Sequence, residues 1–144
     1  TIKMENIEIK LIETKNILTI VSLLQQLHKF TPKKILEKRG LEMIKQHYKY
    51  VGMYLNEAFI GISGLWFLTK HTCGRTIAPA HVIINEAYRK LGLGKKLFDW
   101  IHTYAQSIGY EATELNTFIK HEPSQRFYEN EGYKKLGYHY LKIF

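Results

Sequence analysis

The sequence predicts a mixed α/β fold, a sheet with helices on its faces. Three observations carry this. The elements read in the order strand, two helices, three strands, helix, strand, helix, two strands. Val82-Ile83-Ile84 is a continuous apolar run of the kind that suits a strand buried on both faces. Leu93, Leu97, Ile101, Ala105 and Ile108 recur at helical spacing and form one apolar stripe, with Lys95, Lys96, Asp99, His102 and Gln106 on the opposite side.

Residues 7–12, IEIKLI, alternate and predict the first strand. In 15–29, Ile17, Ile20, Leu24 and Leu27 share one helical face. Thr31-Pro32 reads as an N-cap followed by proline at the first helical position, opening a helix to about Tyr48. Leu36, Leu41 and Ile44 point inward there, and Gly40 is a candidate break. Segments 50–55 and 58–69 predict a hairpin turning at Asn56-Glu57. A loop at 70–75 holds Cys73, and a strand follows over 76–84. Gly109 ends the long helix as a C-cap. Residues 112–118 read as a strand. Pro123 opens a short helix that Gly132 closes. Strands at 133–136 and 138–143 complete the reading, with 1–144 expected to form a single domain.

A folded chain of 144 residues buries enough surface to need neither disulfide nor structural metal. With 45% hydrophobic and 24% charged residues, disorder is excluded. No run of 18 apolar residues occurs, and residues 1–10 lack the pattern of a signal peptide. The single cysteine, Cys73, has no partner for an internal disulfide, and no Cys/His cluster has zinc spacing. The expected compartment is the cytoplasm, with no metal and no membrane partner.

Lys and Arg number 21 against 13 Asp and Glu, a net charge of +8. Such an excess favours polyanions: nucleic acid, anionic lipid, or a phosphate-bearing cofactor. The basic residues are spread along the chain rather than gathered in a tail. No helix-turn-helix, zinc-finger or RNP signature appears, so nucleic acid is not the expected partner.

The informative segment is Val82-Ile-Ile-Asn-Glu-Ala-Tyr-Arg89-Lys-Leu-Gly92-Leu-Gly94-Lys-Lys. A buried strand enters a two-glycine loop, and the loop opens a helix. First-turn N–H groups have no internal partners, and the helix dipole favours an anion there. Glycines let a phosphate approach the backbone. Arg89, Lys90, Lys95 and Lys96 add charge. The loop is not the dinucleotide fingerprint, whose third glycine position is Leu97, nor a P-loop.

Arg89-x-x-Gly92-x-Gly94 resembles the Arg/Gln-x-x-Gly-x-Gly/Ala signature of the GNAT superfamily of acyl-CoA-dependent N-acetyltransferases. Arg126-Phe127-Tyr128-Glu129-Asn130-Glu131-Gly132-Tyr133 is similar to that family's Phe-Tyr-x-x-x-Gly-Phe block on the last helix. The N-terminal third matches in element order alone. The resemblance implies a mostly antiparallel sheet of about six to seven strands, splayed between strands 4 and 5. It implies acetyl-CoA as co-substrate, its pyrophosphate on the backbone N–H groups of Arg89, Lys90, Leu91, Gly92, Leu93, Gly94 and Lys95. The pantetheine arm would pair with the backbone of Val82, Ile83 and Ile84. Phe127 and Ser124 join the expected cofactor contacts. His121 and Ser124 stand where the family often has Asn and Ala, and Glu86 where it often has Pro.

Acetyl transfer to an amine needs a base, because an alkylamine with pKa near ~10.4 is protonated at neutral pH, and the departing thiolate benefits from an acid. Tyr128 resembles the family's acid beside the CoA sulfur. No Glu or Asp lies between Arg75 and Asn85, where the family frequently places its base. His81 is the expected replacement, since histidine titrates near the working pH, and Glu114 the second choice. Cys73 has no base positioned beside it and is expected to be incidental. The expected activity is N-acetyl transfer by direct attack onto a primary amine. The acceptor is a small amine bearing a carboxylate or phosphate, or a protein amine, because His28, Lys29, Phe30, Lys33, Lys34, Tyr138 and His139 are basic and aromatic with few acids nearby. A homodimer is compatible with the sequence. The alternative class is a non-catalytic acyl-CoA-binding module or sensor.

Overall fold

The structure, a computed structural model, describes residues 3–144. Strand β1 spans Ile7–Leu11 and is followed by a 3₁₀ turn at Thr14–Ile20 that leads into helix α1, Val21–Leu27. The sequence predicts one continuous α-helix here. Thr14, Ile17, Thr19, Ile20 and Val21 are β-branched, which crowds an α-helical turn. Thr19 Oγ1 donates to the Asn16 carbonyl at 2.6 Å, favouring the tighter winding. Helix α2, Lys33–Met43, starts one residue after the position that Thr31-Pro32 predicts; Gly40 lies buried inside it and does not break it. Leu36 points inward, whereas Leu41, expected inward, is exposed. Leu27 is exposed as well, at the end of α1.

Strands β2, Tyr48–Leu55, and β3, Ala58–Lys70, form the expected hairpin. Asn56 and Glu57 both adopt positive φ, 48° and 71°, the backbone of a two-residue hairpin turn whose twist matches the strands. Strand β4, Gly74–Ile84, pairs antiparallel with β3. Helix α3 runs Leu93–Ser107, strand β5 is only Ala112–Thr113, and helix α4 is Glu122–Asn130. The sheet order is β1-β2-β3-β4-β5, antiparallel except for the parallel β4–β5 pair.

Two apolar layers sandwich the sheet. On one face Ile17, Ile20, Val21, Leu24 and Leu36 pack on Tyr48, Tyr50, Ile62 and Ile83. On the other, Leu93, Leu97, Ile101 and Ala105 of α3 pack on Val51, Met53, Ile60, Leu65 and Ile77. Tyr48 and Tyr50 face one layer, Val51 and Met53 the other, because alternate strand residues point to opposite faces. No helix among the described residues is long and apolar enough to cross a membrane.

The splay beside β4 has a local cause. The carbonyls of Arg75 and Ile77 accept from the N–H groups of Glu111 and Glu114, so odd-numbered residues of this stretch face β5. Pro79 comes next and has no N–H to offer, and pairing with β5 ends at Ile77. From Ala78 to Ile84 the outer edge of β4 carries no neighbouring strand among the described residues.

Among the described residues the strand count is five, below the expected six to seven. The strand expected at 112–118 shrinks to two residues because its neighbour is lost at Pro79. The strands expected at 133–136 and 138–143 do not form: 134–144 carries no regular secondary structure. Their alternating pattern is real, but a strand exists only where a neighbour takes its N–H and C=O groups.

Candidate active site

The loop after β4 is built by short-range bonds. Asn85 Oδ1 accepts from Ala87 N–H at 3.0 Å, fixing a single 3₁₀ turn over Glu86–Tyr88. Arg89 Nε donates to the Ile84 carbonyl at 2.9 Å, tying the loop back to the strand end. Lys90 and Gly92 then adopt positive φ, 64° and 75°, and Gly92 caps α3 without any side-chain bond. No protein group among the described residues accepts from the N–H groups of Lys90 through Lys95; the first ordered bond of the new helix is Lys96 N–H to the Gly92 carbonyl. Six donors therefore converge with the positive end of α3's dipole.

All of these donor residues but Leu91 line a groove of about 450 Å³. Ile84, Arg89, Lys90, Gly92, Leu93, Gly94, Lys95 and Phe127 of the expected contacts border it, joined by Tyr88, Asn130 and Glu131, which the sequence reading missed. Val82 and Ile83 lie upstream on β4 and Leu91 in the loop, outside the groove's lining. Lys95 Nζ sits between Asp99 at 3.2 Å and Glu131 at 3.6 Å, so its ammonium is already held by two carboxylates; those carboxylates also gather with His102.

Helix α4 closes the groove from one side. His121 caps it: its Nδ1 accepts from Ser124 N–H at 3.3 Å and is also bonded to the Ser124 hydroxyl. That hydroxyl, expected to face the cofactor, is thus engaged within the cap. Tyr128, one turn further on, is half-buried against Phe98, at 5.5 Å between ring centroids, and Tyr133, at 6.0 Å. Burial, with a smaller contribution from Tyr133, pushes the Tyr128 phenol above its ordinary range, so it is protonated at neutral pH. Tyr133 pins the segment: Thr113 Oγ1 donates to its hydroxyl at 2.6 Å, and His102 Nε2 lies 2.9 Å from it, linking β5, α3 and the end of α4.

His81 occupies a different kind of position. Between the pairs Ile62–Ile83 and Gly64–Ala80, β4 has one residue more than β3, a β-bulge opposite Ser63. His81 takes positive φ, 53°, within it. Its Nδ1 is 3.2 Å from the Tyr48 hydroxyl, and its ring meets His28 edge-on at 5.2 Å. Burial first, then the charge of His28, lowers the His81 pKa. The pKa of His28 is lowered by burial and then by Arg39. Tyr48 is kept a neutral phenol by its burial. Gly64 makes room for it, since a Cβ there would overlap the Tyr48 hydroxyl. His28, Arg39, Tyr50 and His81 border a second cavity, about 120 Å³, under α1 and α2, and no carboxylate lines it. Glu114, the second candidate base, is ion-paired with Lys70. Cys73 lies in the β3–β4 turn, away from both cavities.

A glycine-capped helix N-terminus beside a splayed strand, with an aromatic helix closing the groove, is a geometry suited to an anionic ligand. The family model described as the acetyltransferase (GNAT) family matches residues 19–133, and the chain belongs to that family. Its fold is similar to that of a possible acetyltransferase from Clostridium difficile 630, with a TM-score of 0.81 at 16% identity over 95% of this chain and 96% of that one. It is similar to a ribosomal-protein-alanine N-acetyltransferase from Brucella melitensis biovar Abortus 2308, with a TM-score of 0.80 at 17% identity over 96% and 99%. The aminoglycoside N-acetyltransferase AAC(6')-Iy in complex with CoA gives 0.80 at 14% identity over 95% and 93%. No curated protein matches the chain in sequence.

Proposed function

We propose that the protein transfers acetyl from acetyl-CoA to a primary amine by direct attack. The observation that carries this is the set of unaccepted N–H groups from Lys90 to Lys95, in a loop whose Lys90, Gly92, Leu93, Gly94 and Lys95 line the groove, the arrangement a pyrophosphate needs. Arg89 holds the loop through the Ile84 carbonyl rather than reaching out as a ligand. Phe127 walls the groove. The free edge of β4 supplies the backbone of Val82, Ile83 and Ile84 to the pantetheine amides. Ser124 contributes through the α4 cap it forms with His121, which fixes the approach of Tyr128.

In the reaction the amine nitrogen attacks the acetyl carbonyl carbon. A C–N bond forms, the tetrahedral adduct collapses, and the C–S bond breaks. His81 is the base. In the tautomer that donates from Nδ1–H to the Tyr48 oxygen, Nε2 keeps its lone pair for the amine proton. Its lowered pKa keeps it unprotonated at neutral pH, at the expense of intrinsic basicity. Tyr128 gives its proton to the departing thiolate. The absence of any carboxylate around the 120 Å³ cavity, together with Arg39 and two imidazoles, favours a small amine that also bears a carboxylate or phosphate over a polycation.

Thiol release from acetyl-CoA, measured across a panel of amines, tests the proposal. Turnover with acid-bearing small amines is the expected result. CoA binding with no turnover on any amine or peptide would favour the acyl-CoA-sensor reading instead.

A further inference from the structure

We propose that Tyr133 is the positioning residue that holds the Tyr128 phenol in its place; its effect on turnover rests on the reading of Tyr128 as the acid. Tyr128 does not fix its own place. Its hydroxyl has no hydrogen-bond partner in the protein among the described residues. The helix that carries it, α4, buries no residue completely. The chain on either side, 114–121 and 134–144, belongs to no helix or strand. Within α4, Phe127 and Tyr128 lean on Phe98 of α3, with ring centroids at 5.4 and 5.5 Å. Apolar burial is non-directional. These contacts keep α4 against α3 without setting where along it the phenol lies.

Tyr133 supplies the direction. Its backbone N–H donates to the Tyr128 carbonyl at 3.0 Å, so the two residues move as one piece. Gly132, at φ 94°, turns the chain, and the Tyr133 ring comes back beside Tyr128, 6.0 Å between centroids. The Tyr133 hydroxyl accepts from Thr113 Oγ1 at 2.6 Å and lies 2.9 Å from His102 Nε2. A phenol oxygen that accepts one bond still has its own proton to give. A neutral His102 protonated on Nδ1 takes it at Nε2. Burial raises the Tyr133 pKa, which keeps that proton on the oxygen.

Thr113 belongs to β5 and His102 to α3. One hydroxyl therefore ties the backbone of Tyr128 to the sheet and to the helix that covers it. Phenylalanine at 133 keeps the ring and drops both bonds, leaving the Thr113 hydroxyl and the His102 nitrogen without this partner. The helix is then free to shift along Phe98, and the phenol of Tyr128 shifts with it.

Hydrogen exchange and a kinetic double-mutant cycle test this together. In Tyr133→Phe the amides of Phe127 to Tyr133 should exchange faster while those of α3 are unchanged, a readout that needs no turnover. With an amine that turns over, kcat should fall about tenfold, within the ~10²-fold that an ångström of misplacement costs, and KM for acetyl-CoA should hold. In a Tyr128→Phe background the same change should lower kcat by less than about twofold, because the group it positions is gone. Thr113→Val removes one of the two bonds and should show the same pattern at smaller size, which decides the matter if Tyr133→Phe does not fold. Unchanged exchange in α4 overturns the proposal, whatever group proves to be the acid. An equal fall in kcat in both backgrounds also overturns it, since that is the mark of a merely structural role, and so does an unchanged kcat where Tyr128→Phe lowers it. Faster exchange in α4 with kcat intact in Tyr128→Phe itself supports the positioning and refutes the acid assignment.

Discussion

Replacing Tyr128 with phenylalanine separates catalysis from packing at one atom. The ring sits among Phe98, Phe127 and Tyr133, at centroid distances of 5.4–6.2 Å throughout the cluster, and phenylalanine keeps those contacts. The hydroxyl has no hydrogen-bond partner in the protein among the described residues, and burial alone dominates its raised pKa. Its removal therefore forfeits no internal bond, and stability should change by less than the ~1 kcal/mol of an ordinary hydrogen bond. The chemical step should lose more. General acid–base catalysis contributes ~10²–10⁴-fold. A CoA thiolate leaves tolerably even unprotonated, which places the expected loss in kcat near the lower end, about 10²-fold or ~2.7 kcal/mol of barrier. The assay is steady-state thiol release with saturating acetyl-CoA, beside a melting curve and a CoA titration that both match wild type. A fall in kcat of less than about threefold, small beside that range, would show that the acid is another group. A loss of stability with kcat intact would show that the hydroxyl is a structural element.

The other expectations follow from the bulge, the hairpin and Gly64. His81→Gln should lower kcat/KM and remove its acidic limb. The folded pKa of His81 lies below its unfolded value, so the neutral base is present at and above ~6.5 and is lost as pH falls through the lower folded value; an unchanged pH profile would exclude His81 as base. The same shift adds stability that is full above ~6.5 and declines on acidification through the folded pKa, which a denaturation series against pH checks. Gly64→Ala should destabilise by about 1–3 kcal/mol, the range for overpacking, and lower kcat by displacing Tyr48 from His81, readable from urea unfolding and turnover together. Glu57→Gly should stabilise by about 0.5 kcal/mol, because relief of ~1–2 kcal/mol of left-handed strain exceeds the ~0.4–1 kcal/mol entropy that glycine adds to the unfolded chain. A destabilised Glu57→Gly variant would contradict that strain argument.

The parts legible in the sequence are those written by local rules. Helix α3 is announced by Leu93, Leu97, Ile101 and Ala105, and its ends by Gly92 and Gly109, both at positive φ. The phosphate-type loop is legible because glycine position and helix start fall within a few residues. The bulge is not, because it is a mismatch between β3 and β4, and neither strand alone records it. The partners of His81 come from β2 and α1: Tyr48 reads in sequence as the end of the helix after Pro32, and His28 only as one of the basic and aromatic residues of the acceptor side, so neither points to His81. Arg39 carries no signal in the sequence reading, yet it borders the 120 Å³ cavity beside His81. Pro79 was visible, but its effect depends on which side of β4 it faces, a parity set by Arg75 and Ile77. The alternation in 133–143 signals strands that do not form, because alternation says nothing of which neighbour would take the backbone groups.

The central claim is that the loop opening α3 is the cofactor's phosphate cradle. Calorimetric titration of CoA into wild type and Gly94→Glu tests it most directly. Gly94 is the cleaner position, since Gly92 at φ 75° resists any side chain, whereas a Cβ at Gly94 meets only the Phe127 ring at 3.6 Å, an ordinary contact. The new carboxylate should oppose the pyrophosphate and displace one or two charge-assisted bonds of ~1.5–3 kcal/mol each. That corresponds to at least about tenfold weaker binding, with the melting curve of the unliganded protein unchanged. Wild-type CoA affinity in a folded Gly94→Glu variant would place the phosphates elsewhere and contradict the account.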